Sequence, residues 1–305
     1  QAVSDFDMIR PGDNFDREFE LIEAYFRAGG ERPSSISLMQ RDFVPNDWKK
    51  IMERSEKLKN EDGINVHFQV APRAIGTFLG LGSTFHPVMA FPSYLAIREK
   101  PISEQVEIMR DPAFKAKMLA ETPVQLSGPG SSIPPMTDML IAQFEEVAEK
   151  LFRLDDKDGN VDYEPHPNTS LAAQARADGM TVWEKAYDIL LEEDGKALIY
   201  YPVFNYTEMN YNNVLTMMRH PQSLPGLSDG GAHVGFICDA SFPTYMLTHW
   251  TRDRPEGRVA LEAAIKKQTH DTARFIGMHD RGVVAVGKKA DLNVIDLPKL
   301  HLRSP

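Results

Sequence analysis

Cysteine is almost missing from these 305 residues: Cys238 stands alone. A lone thiol excludes an intrachain disulfide framework and fits a reducing, cytoplasmic setting. Long apolar runs are missing too. No stretch approaches the roughly 18 to 20 residues of a membrane-spanning helix, so no membrane partner is expected. The opening residues, QAVSDFDMIRPGDNFD, have neither a basic start nor an apolar core and do not read as a signal peptide. They also lack an initiator methionine, as in a processed chain or a piece of a longer one. Positive charge is in deficit: 34 Lys and Arg face 44 Asp and Glu, for a formal net charge of −10. Phosphate binding needs clustered basic side chains, so nucleic acid is not an expected partner. Internal repeats, low-complexity tracts and the Gly-x-Ser-x-Gly elbow of serine hydrolases are all absent.

What is present is the composition of an ordinary globular protein, 42% hydrophobic and 26% charged, long enough for one large α/β domain or two smaller ones. Residues 34–39 (SSISLM) read as a short strand and 46–60 as a helix carrying Trp48, Ile51, Met52 and Leu58. Residues 64–70 alternate like a strand, with Ile64, Val66, Phe68 and Val70 on one face. Strand, helix, strand at this spacing predicts a parallel βαβ unit. Residues 71–101 are rich in Gly and Pro and read as a loop that lines something. Amphipathic helices are expected at 103–121, 137–153, 170–177 and 181–194. A strand at 197–204, a helix near 208–219 and a short strand at 225–228 restore the earlier rhythm, followed by helices at 241–250 and 258–276. The segment RGVVAVGKKADLNVIDL then reads as a β-hairpin of another subdomain.

The sharpest local feature is Leu227-Ser228-Asp229-Gly230-Gly231-Ala232-His233. An apolar strand ends on a carboxylate, and two glycines turn the chain away. In parallel α/β architectures the C-terminal strand ends face the active site. A carboxylate there can serve as general base or metal ligand, while Gly230 and Gly231 let backbone approach a substrate. The plainer alternative is that Asp229 caps the following turn.

The stretches LSDGGAHVGFICDASFPTYMLTHWTRDR and KKQTHDTARFIGMHDRGVVAVGKKADLNVIDL resemble the end of the amidohydrolase superfamily barrel, nearest to its N-acyl-D-amino-acid deacylase (D-aminoacylase-like) branch. That resemblance implies the C-terminal half of a (β/α)8 TIM-like metallo-hydrolase barrel over 1–281, with a helical insertion at about 100–196. It also implies a return to a small β-sandwich subdomain over 282–305. In that family an Asp at the end of the last barrel strand sits beside the metal and handles the proton, and here it matches Asp229. The implied chemistry is hydrolysis of a linear amide C–N bond by a metal-activated water, with Asp229 as base and then acid. The implied cofactor is zinc or another divalent metal, and the implied substrate is a small N-acylated amino acid of the D series.

Departures from the family pattern are equally legible. No His-x-His motif occurs, and the nine histidines are scattered without ligand spacing. Where the family's sixth strand ends in a run such as Ser-His-His-Lys, this chain has Ser37-Leu38-Met39-Gln40, in which Leu38 cannot bind zinc and Gln40 is a poor ligand. Ser4 and Asp5 stand near where another histidine is expected. Asp229 is thus the one metal-ligand candidate, the others being expected outside these residues. Two other readings therefore stay open: a related enzyme acting on a cyclic amide or ureido compound, and a barrel that has lost its metal site. Half a barrel leaves unpaired strand edges, so a partner is expected, either the N-terminal half or another copy of the chain.

Other positions carry smaller expectations. His233 is either a substrate or outer-shell contact or a loop histidine. Arg73, after the 64–70 strand, either pairs with a substrate carboxylate or forms an internal salt bridge, and His86 lies in the Gly-rich loop. Asp156-Lys157-Asp158-Gly159-Asn160 lacks the EF-hand spacing and reads as a solvated turn. Cys238 reads as a small buried thiol.

Overall fold

The computed structural model describes residues 1–3, 15–154, 156–157, 160–228, 230–231, 235–237 and 239–305. Two compact units emerge. One comprises 1–75, 203–229 and 239–303, and the other 76–202, 230–238 and 304–305.

The first unit opens with helix α1 (Phe15–Gly29), whose Phe15, Phe19, Ile22 and Phe26 recur at helical spacing and are all buried. Strand β1 (Ser34–Leu38), helix α2 (Asp47–Asp62) and strand β2 (Val66–Val70) follow. Helix α2 buries Trp48, Ile51 and Leu58, and ends at Gly63, whose φ of +69° suits the left-handed cap that glycine supplies without strain. In β2 burial alternates, with Val66, Phe68 and Val70 inside, as the sequence predicts. β1 pairs with β2 in parallel from Ser34 opposite Val66 to Leu38 opposite Val70, and Ala2 bridges to Ile36 in the same sense. The predicted βαβ unit is therefore present. The opposite face of this sheet is polar, where Gln69 Nε2 donates to Ser35 Oγ at 3.0 Å.

The segment 71–101, which passes from the first unit into the second, is not the open loop the sequence suggests. It contains strand β3 (Ile75–Leu79) and a short helix α3 (Pro92–Leu95). A Cβ at Gly76 would lie 2.6 Å from the Tyr200 ring and 2.8 Å from the Tyr201 carbonyl, so this glycine permits close packing rather than a flexible lining. Helices α4 (Ile102–Met109), α5 (Pro112–Leu119), α6 (Pro135–Ala142) and α7 (Phe144–Val147) come next. The continuous helix expected over 137–153 is thus broken, and its end is strand β4 (Phe152–Arg153). A two-stranded turn, β5 (Asp156–Lys157) and β6 (Asn160–Val161), follows. Helices α8 (Leu171–Asp178) and α9 (Val182–Leu191) then run as expected. Ser170 caps the first, and a reciprocal Thr181–Glu184 capping box opens the second. Strand β7 (Ile199–Phe204) lies between β3 and β4.

The chain returns to the first unit through α10 (Asn212–Arg219) and β8 (Ser223–Pro225). The last strand comes two residues earlier than predicted: Phe68, Gln69 and Val70 pair in parallel with Ser223, Leu224 and Pro225. Leu227, at φ +62°, has already left the extended conformation. The outer edge of β8 is plugged by Lys267, whose Nζ donates to Ser223 O at 2.8 Å, Ser223 Oγ at 3.0 Å and His220 O at 3.3 Å. Burial holds this amine below its ordinary pKa. Helix α11 (Phe242–Thr248) continues into a π-turn, His249–Asp253. Then α12 (Leu261–Lys266) and α13 (Thr272–Phe275) flank a second π-turn, Lys267–Asp271.

The hairpin expected in 282–305 does not form. Among the described residues that segment holds no strand, only a turn at 286–287 and a 3-10 turn at Leu297–Lys299. Val284, Val286 and Val294 are 88%, 105% and 102% exposed; an alternating pattern without a face to bury against forms no ladder. No described helix is long and apolar enough to cross a membrane.

Candidate active site

The C-terminal ends of the parallel strands in the first unit gather its buried polar side chains. Two residues beyond Leu38, Gln40 is buried and locked to the segment that follows β7. Its backbone N–H donates to Asn205 Oδ1 at 2.7 Å, and Asn205 N–H returns a bond to Gln40 O at 3.0 Å. Gln40 Nε2 reaches Glu208 Oε1 at 2.8 Å and the Pro45 carbonyl at 3.3 Å, while Asn213 Nδ2 holds the other Glu208 oxygen at 2.8 Å. Asn205 sits at φ +68°, a conformation that asparagine tolerates better than most residues. Arg41 is buried beside Asp47, and desolvation lowers its pKa to about 10 against the pull of that carboxylate.

Three residues beyond Val70, Arg73 is fully buried. Its Nη2 lies 3.2 Å from Asp239 Oδ1, and its guanidinium carbon lies 4.9 Å and 5.7 Å from the ring centroids of Phe242 and Tyr245. His249 stacks on Tyr245 at 4.6 Å. The π-turn aims Trp250 at the same strand end, where its Nε1 donates to the Pro72 carbonyl at 2.5 Å. Of the two readings of Arg73, this arrangement displays the internal salt bridge, with Asp239 as the partner inside an aromatic box.

Beside this box a cavity of about 230 Å³ opens at the ends of β2 and β8. Pro72, Pro225, Phe242 and Pro243 wall it, and Ser228, Gln268 and Thr272 supply its polar side chains. Leu227 occupies the left-handed region, a costly position for a branched side chain without local hydrogen bonding.

Asp229 and His233, like Cys238, Ser4 and Asp5, lie outside the described residues. Gly230 and Gly231 form an exposed turn, Gly231 at φ +96°. His86 is 4% exposed in the second unit's interior, edge-on to Tyr94 at 4.5 Å, and burial pushes its pKa down to about 3. The aromatic surroundings, not the glycines nearby in sequence, decide its role. Asp239, Asn205, Glu208, Phe242 and Trp250 escaped sequence reasoning. Only Asp239, two residues before Ser241-Phe242-Pro243, carried a signal, that of a helix start.

No group of three or more His, Cys, Asp or Glu able to hold a metal occurs among the described residues. Leu38 is buried and apolar, and the Gln40 amide nitrogen is spent on Glu208 and Pro45. His220 is tied to Glu56 at 2.6 Å and to the Gln222 N–H, and His270 to Asp271 and Arg274. The described residues therefore do not fit a divalent metal centre.

Residues 135–305, more than half of the chain, match the model of the Amidohydrolase family. The chain belongs to that family. A search of curated proteins finds no match. Among solved structures, this amidohydrolase-family chain is similar to the N-acyl-D-glutamate deacylase from Bordetella bronchiseptica, complexed with zinc and a phosphonate inhibitor. The TM-score is 0.40 and the identity 18%, covering 92% of this chain and 43% of that one. The chain thus spans less than half the length of that enzyme.

Proposed function

We propose that the chain is the C-terminal half of a (β/α)8 amidohydrolase that cleaves a linear amide C–N bond, with N-acyl-D-amino acids as the substrate class. The observation that carries this reading is the cavity at the ends of β2 and β8, lined by Ser228, one residue after the left-handed Leu227. It adjoins in sequence the one carboxylate that the resemblance assigns to proton transfer, Asp229. In this reading Asp229 takes a proton from the attacking water, whose oxygen bonds to the acyl carbon. It returns that proton to the nitrogen as the C–N bond breaks, releasing a carboxylic acid and an amine. The family implies a divalent metal, for which the described residues offer no ligand set.

The test is turnover of a panel of N-acyl-D- and L-amino acids by the protein in its full chain, alongside Asp229→Asn, with metal content by elemental analysis. Hydrolysis abolished in the variant supports the reading. A second reading, a barrel that keeps its architecture without chemistry, is favoured by one observation, the commitment of Gln40 to Glu208 and Pro45. Absence of both metal and turnover in the parent protein would select it.

A further inference from the structure

We infer that a cavity of about 820 Å³ in the second unit is a binding site for an amphipathic carboxylate, an apolar chain of medium length ending in one carboxyl group. All of its lining residues belong to that unit, and the inference holds whichever amide, if any, the chain hydrolyses.

Helix α4 builds one wall. Ile102, Val106 and Arg110 recur every four residues, so they share a face, and they line the cavity over about 12 Å at 1.5 Å per residue. Leu198 and Phe236 add apolar side chains to the same lining. The volume lies within the roughly 300 to 1,000 Å³ of small-molecule sites, which are mostly apolar with a few placed polar groups. A chain laid along Ile102 and Val106 reaches Arg110.

The turn after α9 places the charges. Glu193, Asp194 and Gly195 are all left-handed, at φ +54°, +55° and +84°, a strained run for two residues that carry side chains. Arg153 holds it through Glu192 at 2.5 Å and Glu193 at 2.9 Å. Gly195 lets the turn close on α4: a Cβ there would lie 2.6 Å from Val106 Cγ2 and 3.2 Å from Ile102 Cγ2. The turn sets Asp194 on Arg110, Oδ1 accepting from Nη2 at 2.8 Å, and presents Lys196 to the same cavity. Two cationic side chains and one anionic one thus line it. The Arg110–Asp194 pair is 54% and 82% exposed. A pair so exposed contributes little, and the guanidinium has further donors to offer. A ligand carboxylate gains charge-assisted bonds from Arg110 and Lys196, while its chain leaves water against the apolar wall. Residues 235–237 complete the lining, held by Phe78 N–H to Phe236 O at 2.9 Å and Thr84 N–H to Gly235 O at 2.7 Å. A bound chain braces both bonds.

The experiment titrates octanoate, octanol and octylamine into the protein in its full chain, with binding read by ligand-observed NMR. Octanoate is expected to bind at least about tenfold more tightly than octanol, with octylamine weakest. Affinity should rise about threefold to fourfold per methylene from butanoate to octanoate. Arg110→Gln should weaken octanoate about tenfold and leave octanol unchanged. Ile102→Trp should weaken both, the melting temperature being retained in each variant. Asp194→Asn keeps a residue that tolerates the left-handed turn and removes the competing anion, so it should tighten octanoate about threefold. Hydrogen exchange at the Phe78 and Thr84 amides should slow when octanoate is bound. No octanoate binding, equal binding of octanoate and octanol, or affinities indifferent to these substitutions would overturn the site. None of these readouts uses turnover, so failure of the hydrolase reading shows separately.

Discussion

Arg73 and Asp239 form an ion pair withdrawn from water: Nη2 and Oδ1 are 3.2 Å apart, and the two side chains are 1% and 2% exposed. The pair joins the segment after β2 to the start of α11, which supply Pro72 and Phe242 to one cavity lining. Burial of both charges is costly, and their attraction together with the Phe242 and Tyr245 rings offsets that cost. Removing one partner leaves the other charge buried. Arg73→Met is therefore expected to destabilise the protein by about 3 to 5 kcal/mol, measured by urea unfolding. Arg73→Met combined with Asp239→Leu should recover most of that loss; a double variant as unstable as the single one would contradict the argument.

His86 gives the protein a pH dependence of definite sign. Its folded pKa is about 3 against an ordinary 6.5, with burial as the cause. Between those values the unfolded chain takes up a proton that the folded chain refuses, so stability falls as pH falls from about 6.5 toward 3. The slope approaches about 1.4 kcal/mol per pH unit, or roughly 2 kcal/mol between pH 7 and pH 5. His86→Phe keeps an aromatic ring against Tyr94 and removes the titration. Urea unfolding at the two pH values should show a smaller acid loss in the variant by about that amount.

Lys267 stands in for a neighbouring strand. Its ammonium satisfies Ser223 O, Ser223 Oγ and His220 O along the open edge of β8. Lys267→Met keeps the stem and deletes three donated bonds, for an expected loss of about 1 to 3 kcal/mol. Hydrogen exchange should locate the loosening at residues 220–225. Unchanged protection there would mean that water replaces the amine without cost.

Much of the first unit is legible because its signals are local. The spacing of Trp48, Ile51 and Leu58 specifies the buried face of α2, and the alternation of Val66, Phe68 and Val70 specifies that of β2. β8 is mispositioned by two residues because Leu227 looks like a strand residue and is held left-handed by its surroundings. The Arg73–Asp239 pair spans 166 positions, so neither residue announces the other. His86 sits among glycines and prolines in sequence, while its burial comes from Tyr94 and the packing around it. Local pattern thus recovers elements, and the partners that decide a side chain's role come from the fold.

The segment 282–296 shows the converse, a strong local pattern with nothing to complete it. Val284 and Val286 alternate, as do Leu292 and Val294, and all four are exposed, Leu292 at 65% and the valines further. Unpaired backbone carrying exposed β-branched side chains is a template for strand addition from another polypeptide. The 305-residue chain is therefore expected to associate, either with a second copy or with the N-terminal half of a barrel. Light scattering coupled to gel filtration should show a mass that rises with concentration. Val284→Lys with Val294→Lys should return it to the monomer mass, because lysines on an edge oppose pairing. A protease-resistant monomer at high concentration, with both valines intact, would show that this segment needs no partner.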